Sequence, residues 1–183
     1  MTLCLNQTKL LIILLTSYDD IKQTYKVKRD GYYLQYVEEQ TPELCLAAVK
    51  QNATSVYYVK EQTPELCLAA VKQNASSVYY VKEQTPEICL AAVQQYGLAL
   101  KYVKEQTPEL CLAAVKQNAS SVYYVKEQTP EICLEAVKQN GWALEYVKEQ
   151  TPELCLLAIK QHGENKYLKF VWQLSKIVQM DGF

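Results

Sequence analysis

The chain is 183 residues long, 49% hydrophobic and 21% charged, with a formal net charge of −1 at pH 7. That balance is ordinary for a folded domain and leaves no basic excess to neutralise phosphates, so a nucleic-acid partner is not expected. Length and apolar content suffice for one core or one array.

In chain order, the first feature is the apolar run LLIILL at residues 10–15, behind Lys9. It is shorter than the usual signal-peptide core, and no small-residue cleavage site follows in TSYDDIKQ. A membrane span needs roughly 20 apolar residues. The run therefore reads as an apolar cap on whatever follows, with a cleaved leader and a secreted product as the competing reading. Next, IKQTYKVKRDGYYLQ carries an echo of the pattern to come, with Val27, Lys28 and Gly31 where Val49, Lys50 and Ala53 stand later.

From there the chain repeats. QTPE begins at residues 40, 62, 84, 106, 128 and 150, a constant period of 22, and QTPELCLAAVKQN recurs unchanged at 40–52, 62–74 and 106–118. Residues 58–79 and 102–123 are identical, and 80–101 and 124–145 are near copies, so the array reads as a duplicated pair of units. Six tandem units run over 36–167. Residues 1–35 form an N-terminal cap with a degenerate repeat, and 168–183 form a C-terminal capping helix. Atypical ends are what a regular array needs, since its outermost faces have no neighbour.

Each unit predicts two short helices. Thr41 is the N-cap of the first, Pro42 its first residue, and Glu43 lies near the positive end of the helix dipole. Asn52, or Gly97 and Gly141 one position later, is expected to supply a left-handed residue that ends it. A second helix is expected over 54–61, stopped by the next Thr-Pro. The strand motif of leucine-rich repeats is missing. The fold class is therefore all-α: an α-solenoid of about six 22-residue helix-turn-helix repeats with atypical caps.

Comparing the repeats predicts burial. Ala47 is replaced by Glu135 and Leu157, so Glu43, Ala47 and Lys50 mark a stripe facing water, with Leu44, Cys45, Leu46, Ala48 and Val49 inside. In the second helix Val56, Tyr58 and Val59 read as core. The Thr54 position varies through Ser76, Leu98, Ser120, Trp142 and Glu164, and the Tyr57 position through Tyr79, Lys101, Tyr123, Glu145 and Tyr167. Both read as exposed.

Chemistry is scarce in this pattern. Cys45, Cys67, Cys89, Cys111, Cys133 and Cys155 occur once per unit with no C-x-x-C pair, and His162 is the one histidine, so no metal is expected. The cysteines read as small buried hydrophobes in a reducing compartment. Cys155 and His162 are the nearest approach to a nucleophile and base. Seven residues along a helix separate them by about 10 Å, against the ~3 Å such a pair requires. No catalytic residue follows, and no phosphate or dinucleotide loop implies a cofactor. The tyrosines divide into two ladders. Tyr36, Tyr58, Tyr80, Tyr102, Tyr124 and Tyr146 occur in every unit and read as packing. Tyr57, Tyr79 and Tyr123, together with Leu98, Lys101, Glu135, Trp142 and Glu145, form a candidate binding strip. Exposed Tyr and Trp supply many protein-interface hot spots; the bland alternative is a set of drifting solvent positions.

The wording T-P-E-[LI]-C-L-x-A-V-K-Q-N-[GA], followed by x-A-L-x-Y-V as in GLALKYV and GWALEYV, resembles a helical-repeat family of unknown function expanded in mimivirus-like giant viruses and found in some bacteria. The resemblance covers 36–167. It implies an all-α array in an intracellular, host-cytoplasmic setting with no assigned activity, and transfers no site residues. The expected function is a non-enzymatic protein-interaction scaffold; the alternative is a passive structural product of repeat expansion.

Overall fold

A computed structural model of the chain describes residues 18–162; what the sequence leads one to expect of 1–17, Glu164, Tyr167 and 168–183 concerns residues outside them. The chain divides into two compact units, within 1–83 and 84–183, each an all-α stack of the same repeat. Among the described residues there is no strand. The fold is an all-α repeat solenoid.

In the first unit, helix α1 occupies 18–29 and leads to the 3-10 helix η1 (Gly31–Tyr36). Then come α2 (Pro42–Gln51), η2 (Ala53–Tyr58), α3 (Pro64–Gln73) and η3 (Ala75–Tyr80). Residues 18–36 thus follow the same plan as the repeats they precede. The second unit contains α4 (Pro86–Gln95), η4 (Gly97–Tyr102), α5 (Pro108–Gln117) and η5 (Ala119–Tyr124). It continues with α6 (Pro130–Gln139), η6 (Gly141–Tyr146) and α7 (Pro152–His162).

The long helices start as the sequence dictates. Thr41 is extended (φ −77°, ψ 154°), its hydroxyl accepts from the Leu44 N–H, and Pro42 opens the helix. Thr63, Thr107 and Thr129 repeat this arrangement. A ten-residue helix is marginal alone. Its stability comes from packing on the 3-10 helices before and after it and on the next long helix, as α5 packs on η4, η5 and α6.

The helix ends differ from expectation. Asn52 is extended (φ −148°, ψ 115°), not left-handed. Its N–H closes α2 on the Ala48 carbonyl while its side chain accepts from the Thr54 N–H and so starts η2. One residue thereby ends one helix and caps the next, which leaves no room for a left-handed turn. Tyr96 holds this place in the fourth helix without a side-chain cap.

The second helix is also corrected. It is a 3-10 helix of six residues, beginning at Ala53 and stopped by extended Val59, rather than an α-helix over 54–61. In a 3-10 helix residues three apart eclipse one another. Ala53, Val56 and Val59 accordingly line up in the core, while Thr54 and Tyr57 share the opposite side.

Burial on the long helix departs from the expected stripe in two places. Leu46, Leu90 and Leu156 are exposed, whereas Leu68, Leu112 and Leu134 are half-buried. Ala47, Ala113, Glu135 and Leu157 are half-buried rather than solvent-facing. Glu43 and Lys50 do face water, and Leu44, Cys45, Ala48 and Val49 are core. In the second unit that core runs through Val93, Leu100, Val115, Val122, Val137 and Leu144.

Candidate functional site

Two side-chain systems recur along the repeats, one holding them together and one left on the surface. The first is the glutamine of QTPE. Gln106 donates to the Leu100 carbonyl (3.3 Å) and to the Tyr124 carbonyl of the following 3-10 helix (3.1 Å). Its Oε1 accepts from the Lys126 N–H (3.0 Å) and the Cys111 thiol (3.6 Å). One amide thus ties the ends of consecutive 3-10 helices. Gln62 and Gln128 make the same four bonds, and Gln40 makes them from η1. The cysteine is the small donor facing each amide. Burial pushes the thiols of Cys45, Cys67, Cys111 and Cys133 above their ordinary range, favouring the protonated, unreactive form.

A second glutamine, at the end of the long helix, reads the residue that opens the preceding 3-10 helix. Where that residue is glycine, the glutamine comes close: Gln51 accepts from Gly31 N–H, Gln117 from Gly97 N–H and Gln161 from Gly141 N–H, at 2.6–2.7 Å. A Cβ on Gly97 would collide with the Ala114 carbonyl, the Ser121 hydroxyl and the Gln117 amide. Gly97, expected to end a helix as a left-handed residue, is instead required by close approach, and so is Gly31. Ser55, Ser77 and Ser121 are wholly buried, and their hydroxyls have no partner among the described residues.

The surface system is the outer side of the 3-10 helices. In the first unit Tyr57 and Tyr79 are exposed, at 60% and 61%. Tyr57 meets Tyr58 edge-on at 5.1 Å and Tyr80 of the next repeat at 5.6 Å, while Tyr32 meets Tyr58 at 5.9 Å. With Thr54, which hydrogen-bonds the Tyr32 hydroxyl, these rings wall a cleft of about 380 Å³. In the second unit Tyr123 is 62% exposed and bridges Tyr124 and Tyr146 in the same way, at 5.0 and 5.5 Å. Lys101 and Glu145 stand exposed at the corresponding position, with the Lys101 ammonium over the Tyr102 ring at 4.5 Å. Trp142 is exposed, but Leu98 is only half-exposed. Glu135 is on α6, away from the 3-10 row.

The division into a packing and an exposed ladder therefore needs amendment. Tyr58, Tyr80, Tyr102 and Tyr124 are half-buried, while Tyr36 and Tyr146 are exposed. The two ladders interleave into one aromatic surface. Tyr58 and Tyr80 were read as packing because tyrosine stands at that position in every unit, a constancy that does not separate a buried ring from a half-buried one.

Elsewhere the described residues offer little chemistry. No three of His, Cys, Asp and Glu converge as metal ligands, all six described cysteines are free and buried, and no helix is long and apolar enough to cross a membrane. A groove of about 500 Å³ lies between the starts of α2 and α3, lined by Pro42, Cys45, Leu46, Lys60, Glu65 and neighbours.

No curated protein and no solved structure matched the chain. A family model did, over residues 63–107, 85–129, 107–151 and 129–171, windows that step by one repeat and each take in two. These matches cover more than half of the chain and begin at the Thr-Pro that starts each long helix, or at the residue beside it. The chain belongs to the repeat family described as Domain of unknown function (DUF4116).

Proposed function

We propose that this protein is a non-enzymatic interaction scaffold that presents the outer side of its 3-10 helices to a protein partner. One observation carries the reading. Tyr57, Tyr79 and Tyr123 keep about three-fifths of their surface in water, although each repeat has a core in which such a ring would be stabilised. Rigid aromatic rings held by edge-on neighbours suit a binding surface, since little side-chain entropy is lost on contact. Leu98, Lys101, Trp142 and Glu145 would vary specificity in the second unit; Glu135 contributes from the long helix. No metal, cofactor or nucleic acid enters this reading. Free thiols and the resemblance to repeats of giant viruses support a reducing, host-cytoplasmic setting.

The letter-for-letter identity of 58–79 and 102–123 favours a second reading, a passive product of repeat expansion. An affinity capture from native extract under reducing conditions, read by mass spectrometry, separates the two. The intact chain is compared with a variant carrying Tyr57→Ser, Tyr79→Ser, Tyr123→Ser and Trp142→Ser at equal helicity by circular dichroism. A partner held by the first and lost by the second is the expected result. Equal recovery from both, or none from either, would overturn the scaffold.

A further inference from the structure

We propose that the tyrosine cleft of the first unit binds a proline-rich peptide segment in the polyproline II conformation; this deepens the scaffold reading and rests on it. The cleft is walled by Tyr32, Thr54, Tyr57, Tyr58 and Tyr80. Its rings meet at 66–85°, so ring faces and ring edges alternate along it. Such a surface offers flat walls against which pyrrolidine rings pack, the mode by which aromatic grooves take proline-rich ligands.

Spacing accommodates that conformation. Polyproline II rises about 3.1 Å per residue with three residues per turn, so the same edge of the ligand returns about every 9 Å. The Tyr57 ring lies 5.1 Å from Tyr58 and 5.6 Å from Tyr80, so the two outer rings stand within the sum of those distances of each other, enough for one such turn. Residues i and i+3 of the ligand therefore fall against Tyr58 and Tyr80, with the Tyr57 ring between them. An α-helical ligand has its carbonyls already bonded within the helix, so the open backbone of polyproline II is the better match to a wall that carries hydroxyl donors.

Polar complement and charge agree. A polyproline II segment has no internal hydrogen bonds, and its carbonyls need donors. The hydroxyls of Tyr57, Tyr58 and Tyr80 have no partner among the described residues and supply them. None of the five lining residues is charged. This complements an uncharged peptide and offers nothing to a phosphate backbone. In the second unit Lys101 holds one corresponding position and its ammonium covers the Tyr102 ring, while Tyr123 holds the next and bridges Tyr124 and Tyr146.

The test is isothermal titration of the full chain with decaproline, alongside a ten-residue Gly-Ser peptide and a ten-nucleotide oligothymidine. Saturable binding of decaproline alone is expected. Affinity should fall about tenfold in Tyr57→Ser and a few-fold in Tyr58→Phe, which keeps the ring and removes only the hydroxyl. Tyr25→Ser, an exposed tyrosine outside the cleft, should leave it unchanged. Lack of saturable decaproline binding, equal binding of the Gly-Ser peptide, preference for oligothymidine, or indifference to Tyr57→Ser would each overturn the proposal. If decaproline fails while the four-residue variant still loses its captured partner, the polyproline assignment falls and the scaffold stands. If both experiments fail, both readings fall.

Discussion

Within the second unit, the junctions at Gly97 and at Ala119 solve one packing problem in two ways. At Gly97 the following glutamine, Gln117, accepts from the glycine N–H and also donates to the Gln95 carbonyl (3.3 Å). At Ala119 a methyl group occupies that space, and Gln139 makes the outer bond alone, to the Lys116 carbonyl at 2.8 Å. The residue 24 positions on also differs, Ser121 lying where a Cβ on Gly97 would be and Ala143 following Ala119, although in the first unit Ala53 is followed by the buried Ser77. A single Cβ therefore decides whether the glutamine clasps its neighbour by two bonds or by one, while the long helix and the QTPE glutamine do not change.

The largest effect should come from breaking what both junctions share. Gln106→Ala removes an amide that serves two carbonyls and one N–H and leaves these part-buried groups unpaired. A loss of about 3 kcal/mol is expected in urea unfolding, from roughly 1–3 kcal/mol per unsatisfied group. A loss below about 1 kcal/mol would show that water replaces the amide.

Gly97→Ala attacks the difference itself. The added methyl meets a backbone carbonyl that cannot step aside, and a destabilisation of about 2 kcal/mol is expected, in the range of overpacked cores. Adding Ser121→Ala to Gly97→Ala copies the Ala119 and Ala143 arrangement and should recover part of that loss. Strict additivity of the two changes would break the comparison, because residues sharing one space should couple.

The smallest effect is Ser121→Ala alone. Its buried hydroxyl has no partner among the described residues, and Ala99 and Ala143 already hold the same position. A gain of about 1 kcal/mol is expected from removing a desolvated polar group, offset slightly by lost packing beside Gly97. A thermal melt that moves down instead would mean that the hydroxyl is hydrogen-bonded in solution.

How far the sequence could be read varies by residue. Thr41, Pro42 and Glu43 announced a helix start because capping chemistry is local, and the positions of Leu44, Cys45, Ala48 and Val49, which change only between aliphatic residues, announced the core. Leu46 misled, since it is also leucine in every repeat, yet its exposure changes from one helix to the next. The 3-10 helix was hidden because ATSVYY has the length and apolar content of either helix type. Only the bond from Val59 N–H to the Val56 carbonyl separates them. The candidate strip was partly legible: variation at the Tyr57 position pointed outward. The aromatic cleft was not, because it depends on rings from neighbouring repeats meeting at a set distance.

The 22-residue period, the all-α class and the capped helix starts were determined by the sequence alone, because each follows from local propensity and from apolar faces that only a like neighbour can cover. Tertiary structure decided the rest. Whether position 97 holds glycine for a turn or for a close approach, whether a glutamine is a surface residue or a clamp, and whether a tyrosine packs or faces water depend on atoms 18–23 residues away in sequence. Those distances are set by how one repeat sits on the next, a quantity that no window of the chain contains.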